Sequence, residues 1–385
     1  MMKVVILSKA LVAGAYQRKL EEIARLGVEL TALVPPAWRE PRVGLLRLER
    51  RYTKGYRLES LPIAMNGQHH LHSYPTLGRV LRRLRPEVLH IDEESFNFAT
   101  FEAMRLGVAL GARCCFYNYA NIERAYPPPF NLFERYNFHH AAHALACNQE
   151  AAAIMRRHGY DGPLTIVPQF GVDPELFSPM QNDGRPTTDD NAGFPSSFIP
   201  HPSSFIIGYL GRLVPEKGLL DLVEALDGLP PHVTLRLVGD GSQRPAIERR
   251  IAQLGLGARV TLRPAVGSTE VPAVLRTLDA LVLPSRTTPA WKEQFGRILI
   301  EAMSCGVPVV GASSGEIPHV VGDAGLIFPE GDVAALRATV AQLADDPALR
   351  AELARRGRER VLAEYTQAAI ARRHVAVYAA MLASA

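Results

Sequence analysis

Cysteine, surplus charge and long apolar runs are all scarce in this 385-residue chain, and each scarcity excludes something. The four cysteines, Cys114, Cys115, Cys147 and Cys305, stand in or beside apolar, strand-like stretches and share no metal-ligand spacing. Buried thiols of a reducing compartment are therefore expected, not a disulfide framework or a zinc module. A net charge of +4 is small for this length and argues against a dedicated nucleic-acid binder. What surplus exists lies early, with 22 Lys and Arg against 17 Asp and Glu up to residue 180, so an anionic partner other than a nucleotide would meet the first half. No apolar run reaches the ~20 residues of a membrane span, and the opening MMKVVILSKA reads as a first buried strand and not as a signal peptide. A cytoplasmic protein is expected. The sequence also lacks a G-x-G-x-x-G after a strand with an acidic residue at the expected distance, which disfavours a dinucleotide dehydrogenase.

What is present is a repeated alternation. The length calls for two domains, and 47% apolar with 21% charged residues fits a globular chain. In the first half, Val/Ile/Leu-rich runs at Val4–Leu7, Glu29–Val34, Arg57–Pro62, Val88–Ile91, Arg113–Tyr117, Ala144–Cys147 and Leu164–Val167 are mostly separated by helical patterns. The second half restarts the rhythm at Ile206–Leu210, Thr234–Val238, Val260–Leu262, Ala280–Leu283, Val307–Val310 and Leu326–Phe328. Near-continuous apolar runs spaced by helices predict parallel sheets covered on both faces. Between the halves, a stretch rich in Pro, Ser, Asp and Gly carries PSSFI twice, from Pro195 and from Pro202, and reads as a flexible linker. The expected organisation is a doubly wound, Rossmann-like domain over residues 1–178, a linker over 179–204, a second such domain over 205–365 and a last helix over 366–385. Ligands of such sheets bind in a cleft outside the carboxyl ends of the strands.

Two stretches carry the candidate chemistry. WKEQFGRILIEAMSCGVPVVG, from Trp291 to Gly311, reads as loop, helix and strand. Glu293 falls before the helix and Glu301 inside it, slightly over two turns on, so both carboxylates can address one cleft. The helix start around Phe295-Gly296-Arg297 offers unpaired N–H groups and a positive dipole end to an anion. Upstream, GYLGRLVPEKGLLDLVEAL sets Arg212 and Lys217 on the loop after a strand. A guanidinium and an ammonium there can neutralise two adjacent phosphates, or stand solvated on an ordinary turn. Two glutamates on a helix can likewise be surface charges.

Taken together, GRLVPEKG, VGDGSQRPAIE, EQFGRILIEAMSCGVPVVG and GEIPHVVGDAGLIFPEGD resemble the C-terminal domain of retaining glycosyltransferases of family 4, the glycosyl transferases group 1. The resemblance covers residues 205 to about 365 closely and the first half loosely. It implies an α/β GT-B fold, two doubly wound Rossmann-like domains facing across a cleft, and sugar transfer from a nucleoside diphosphate sugar without a metal or other cofactor. It further implies that Arg212 and Lys217 hold the donor diphosphate and that Glu301 accepts hydrogen bonds from the ribose hydroxyls, as an acceptor-only group suits. Glu293 would order the donor sugar and meet the positive charge developing at its anomeric carbon. The N–H groups near Phe295 and Gly296 would touch sugar or phosphate, with Gly315 either joining them or only turning the chain.

In the first half, Gly14 follows the first strand and either lets backbone approach the diphosphate or makes a plain turn. Members of the family often carry a His in the loop after the strand Arg113–Tyr117. This chain has Asn118, Asn121 and Glu123 there, and His90, at the end of VLHID, is the other acceptor-side candidate or a structural histidine. The basic segment Ala37–Tyr56, with Trp38, Tyr52 and Tyr56, reads as a solvated hairpin or helix face, or as a contact for an anionic acceptor or the inner face of a membrane. Arg79–Arg85 carries the same ambiguity. The rival readings are a nucleoside diphosphate sugar epimerase or hydrolase on the same architecture, and a non-catalytic two-lobed sugar-binding protein. The acceptor expected is a glycan, a lipid-linked sugar or a small molecule.

Overall fold

The computed structural model describes residues 1–40, 44–179 and 204–383. The chain forms two compact units, one of Met1–Gly171 with Gln367–Ala385 and one of Val172–Thr366. Most of the linker read at 179–204 lies outside the described residues.

In the first unit the strands are β1 (Lys3–Leu7), β2 (Glu29–Val34), β3 (Ala37–Glu40), β4 (Gly44–Arg47), β5 (Arg57–Ser60), β6 (Val88–Ile91), β7 (Arg113–Asn118), β8 (His143–Ala146) and β9 (Leu164–Ile166). Its first five helices are α1 (Arg18–Arg25), α2 (Leu77–Leu84), α3 (Phe98–Ala109), α4 (Phe130–His140) and α5 (Gln149–Arg157). Seven strands make one sheet in the order β5-β2-β1-β6-β7-β8-β9, with every pair parallel. The reason is visible in the runs themselves: Val4 to Leu7 are each no more than 3% exposed, and a strand buried on both faces has no place for a polar alternation. One helix start in this unit is capped by a side chain. Asn148 accepts from the N–H of Ala151 at 2.8 Å and starts α5.

In the basic segment after β2, β3 pairs antiparallel with β4. Trp38 is buried at 2% exposure, whereas Tyr52 and Tyr56 are half-buried, the Tyr56 hydroxyl donating to the Tyr52 carbonyl at 2.6 Å. Arg39, Arg47, Arg50 and Arg51 are left exposed. No described helix is long and apolar enough to cross a membrane.

The second unit holds β10 (Phe205–Leu210), β11 (Val233–Val238), β12 (Val260–Arg263), β13 (Ala280–Leu283), β14 (Val309–Ala312) and β15 (Leu326–Phe328). Its helices are α6 (Leu219–Asp227), α7 (Arg244–Gln253), α8 (Val271–Leu275), α9 (Arg297–Ser304), α10 (Ile317–Val321), α11 (Val333–Asp345) and α12 (Pro347–Glu364). The sheet order is β12-β11-β10-β13-β14-β15, again all parallel. Val172–Ser178, read with the first domain, belongs to this unit: Ser304 donates its hydroxyl to the Phe177 carbonyl at 2.6 Å, and the Val172 N–H reaches the Tyr365 carbonyl at 2.8 Å.

The last helix, α13 (Gln367–Ala383), belongs to the first unit, where it packs along α1 and touches β6. Ile370, Ala371, Val377, Tyr378 and Met381 join that unit's core.

Candidate functional site

The second unit's sheet reverses its winding at β10: β11 and β12 are laid on one side, then β13 to β15 on the other. Loops leaving the carboxyl ends of β10 and β13 therefore part company, and a crevice is left where they diverge. A pocket of about 570 Å3 occupies it, a size suited to a small-molecule ligand. Arg212 and Lys217 from the loop after β10, Glu293 from the loop after β13 and Glu301 from α9 all line this one pocket. Gly239 and Asp240 after β11, and Ala265 and Val266 after β12, complete the wall.

Each of these side chains is positioned by its local backbone. Arg212 is exposed, and among the described residues no carboxylate pairs with it; the Tyr209 hydroxyl fixes its backbone by donating to the Arg212 carbonyl at 2.8 Å. A short turn over Pro215–Lys217 then delivers Lys217. It is closed by Gly218, whose φ of 64° and near approach to Pro284 leave no room for a side chain, since a Cβ would stand 1.9 Å from the Pro284 carbonyl oxygen. The Lys217 ammonium donates to Glu293 Oε2 at 2.5 Å, and the buried Ser285 hydroxyl donates to the same oxygen at 2.9 Å. Glu293 is thus a carboxylate held by two donors at 8% exposure.

Below it, the Glu293 carbonyl accepts from the N–H of Glu316 at 3.0 Å. Gly315, at φ 54°, lies so close that a Cβ would come within 2.1 Å of that carbonyl oxygen. Gly315 therefore acts behind the site, shaping the backbone of Glu293, and is not among the residues lining the pocket. Phe295 is absent from the lining as well: it is 7% exposed, and its ring packs on Tyr365 with centroids 5.7 Å apart. Gly296 does line the pocket and precedes α9, whose first residues, Arg297 and Ile298, line it too. Orphan N–H groups of a helix start thereby border the cavity. Glu301, one turn further, meets Arg297 Nε at 3.1 Å; burial pushes its carboxyl pKa above the usual range, with Arg297 opposing the shift. The pocket thus combines three cations, Arg212, Lys217 and Arg297, a helix start and three carboxylates, Asp240, Glu293 and Glu301, which is a donor-rich place for an anionic group beside acceptors for hydroxyls.

The first-unit candidates do not form such a set. The N–H of Gly14 is already given to Glu49 Oε2 at 2.9 Å, so a carboxylate stands where an incoming phosphate would bind. His90 is 1% exposed; its Nδ1 bonds the Tyr378 hydroxyl at 2.7 Å, its ring stacks on His374 at 5.5 Å, and burial pushes its pKa down to about 4. It is a core histidine tied to α13. Asn118 exchanges two hydrogen bonds with Ser95, at 2.7 and 2.9 Å, Asn121 is buried, and the exposed Glu123 pairs with Arg157 at 2.8 Å.

The sequence reading missed a different group, at the carboxyl ends of β1 and β6, where this sheet also reverses. Lys9 pairs there with Glu93, and His72 stands 3.6 Å from the same carboxylate. Burial opposes ionisation of Glu93, but Lys9 and His72 outweigh it and hold the group at about 2. Next to it, burial pushes the Glu94 carboxyl up to about 8. The available signal was position alone, a Lys and consecutive acids just past strand ends. In the second unit, Ser285 and Trp291 were likewise left without a role.

Two family profiles match the chain: Glycosyltransferase Family 4 over residues 17–176 and Glycosyl transferases group 1 over residues 196–360. Similar proteins include the 2-deoxystreptamine glucosyltransferase of Streptomyces kanamyceticus, 30% identical over 64% of this chain and 62% of that one. The 2-deoxystreptamine N-acetyl-D-glucosaminyltransferase of Streptomyces fradiae is 28% identical over 83% of this chain and 79% of its own length. The chain thus spans less than two thirds of the first of these relatives. Among solved structures, sucrose-phosphate synthase from Thermosynechococcus elongatus superposes with a TM-score of 0.69 at 19% identity, covering 100% of both chains. Anabaena HepE in complex with UDP gives 0.73 at 17% identity, covering 99% of this chain and 100% of that one. The folds of the two units are those of the Rossmann-like halves of GT-B enzymes. With both halves matched in order, the chain belongs to the family 4, group 1 glycosyltransferases.

Proposed function

We propose that this chain moves a sugar from a nucleoside diphosphate sugar to a hydroxyl-bearing acceptor, with retention at the anomeric carbon and without a metal or other cofactor. The observation that carries the reading is the convergence of Arg212, Lys217, Glu293 and Glu301 on one pocket at the strand ends of the second unit. In this reading the diphosphate lies against Arg212, Lys217 and the start of α9, the ribose hydroxyls donate to Glu301, and the sugar lies against Glu293.

The chemistry follows from where charge appears. As the bond between the anomeric carbon and the phosphate oxygen breaks, negative charge builds on the leaving diphosphate and positive charge on the sugar ring. Preorganised cations and helix-end N–H groups meet the first, each such contact commonly worth about 3–4 kcal/mol in the transition state. The Glu293 carboxylate meets the second. The acceptor oxygen adds on the face the diphosphate leaves, and its proton passes to the departing phosphate oxygen, so no side-chain base is needed.

The test is product analysis. Nucleotide sugars of different bases are supplied with acceptors, beginning with 2-deoxystreptamine and D-inositol 3-phosphate, for which relatives are named. The reading expects release of nucleoside diphosphate that depends on acceptor and survives a chelator, and a glycoside whose anomeric configuration by NMR equals the donor's. An inverted product, or donor turnover indifferent to acceptor, would contradict it.

A further inference from the structure

Trp291 has no role in the account so far, yet it borders the pocket beside the residue on which the account depends most. Its ring centroid stands 4.8 Å from Lys217 Nζ, while Glu293 Oε2 takes that ammonium at 2.5 Å. The lysine is thus held by an aromatic face and a carboxylate together. The indole is not loosely placed. Thr288 and Trp291 exchange backbone hydrogen bonds of 2.7 and 3.2 Å across a tight turn. The root of that turn is fastened by Thr287, whose N–H and hydroxyl both donate to Glu330 at 3.0 and 2.8 Å.

We infer that Trp291 is the positioning residue for Lys217, keeping its ammonium over the pocket so that a diphosphate can take its N–H donors from Glu293. The inference rests on the donor reading above. Its physical basis is that the two partners hold the ammonium differently. A carboxylate takes an N–H bond outright, whereas an aromatic face attracts the charge as a whole and uses up no particular N–H. Glu293 already holds the ammonium at 2.5 Å, and without a second contact the lysine would lose its anchor when that bond is given up. With the indole beside it, the lysine keeps its place when the bond is exchanged, and Glu293 is released toward the sugar.

The experiment titrates the full-length chain with UDP and GDP by calorimetry, with Trp291→Leu, Trp291→Phe, Lys217→Met and Trp291→Leu/Lys217→Met alongside the wild type. Trp291→Leu should weaken binding of the preferred nucleoside diphosphate about tenfold, within the usual range for a cation over an aromatic ring, and Trp291→Phe should restore most of it. In the Lys217→Met background, Trp291→Leu should change affinity by less than about twofold, because coupled residues do not add. Indole emission should shift on binding in the wild type and not in Trp291→Phe, Trp38 being buried in the first unit. An equal loss from Trp291→Leu in both backgrounds, or no loss in either, would overturn this inference alone. Absence of any wild-type binding would overturn the donor reading and this inference with it.

Discussion

At the scale of single residues, Lys217 and Glu293 carry the greatest consequence. Lys217→Ala and Glu293→Ala should each lower turnover by roughly two orders of magnitude or more while circular dichroism stays native, since each removes a contact of the kind worth a few kcal/mol in the transition state. Wild-type turnover in either variant would remove that residue from the mechanism. Glu94 offers a test of burial without catalysis. Its folded-state pKa, about 8 against an ordinary 4.5, lies above the unfolded value, so the stability it contributes is complete below pH 4.5 and is lost as pH rises toward 8. The slope is about 1.4 kcal/mol per pH unit across that window. Glu94→Gln should melt with a flatter pH profile than the wild type from pH 5 to 8, and parallel profiles would contradict the assignment. Arg212, Lys217, Glu293 and Glu301 were legible because each sits just past a strand or on the helix that follows one, where ligands meet such sheets. Gly315 and Phe295 stand in the stretches that carry the resemblance, but no pattern there says which members face the ligand and which hold the backbone beneath it. That difference is made by contacts 20 or more positions away, such as Glu293 against Gly315 and Phe295 against Tyr365. His90 misleads for the same reason, since its partner Tyr378 is 288 positions on.

At the scale of elements, the site is a product of strand ends and the turns that brace them. Gly315→Ala places a methyl 2.1 Å from the Glu293 carbonyl oxygen in a backbone conformation with φ 54°. The expected cost is about 1–3 kcal/mol of stability together with a fall in turnover of at least about tenfold, read by denaturant melting and by assay. Gly257, which has nothing within 4 Å of an added Cβ, is the control, and Gly257→Ala should change neither. If the two variants behaved alike, the brace under Glu293 would be the wrong account of Gly315. The strands of the two parallel sheets could be read from the chain to within a residue or two, because a strand covered on both faces is built from apolar side chains, whereas β3 and β4 could not. β14 begins at Val309, two residues later than its apolar run, after Pro308, which has no N–H to give a ladder. The helix α12 went unread: of its 18 residues only Leu353, Gly357 and Val361 are buried, too few to show a period, although Asp346 caps it and Pro347 opens it.

At the scale of the whole molecule, the chain's end completes the core of its beginning. Tyr378 is fully buried against β6, and its hydroxyl bonds His90, whose Nε2 has no hydrogen-bond partner among the described residues. Tyr378→Phe should cost about 1–3 kcal/mol by leaving the second ring nitrogen unpaired as well, and Tyr378→Ala about 3–5 kcal/mol through the cavity, both measured by denaturant unfolding. Equal melting of Tyr378→Ala and wild type would deny α13 its place in the first unit. The two-sheet organisation could be read from the repeated alternation, whereas the return of the last helix could not, because an apolar helix face does not name the surface it will cover. The pocket of the second unit carries the proposed donor site. Its most direct test is calorimetric titration of the full chain with UDP and GDP, repeated on Arg212→Ala, Lys217→Ala and Glu301→Ala. The account predicts saturable binding of one nucleoside diphosphate per chain, weakened at least tenfold by each substitution. Binding that survives all three unchanged, or no binding of either nucleotide to the wild type, would contradict it.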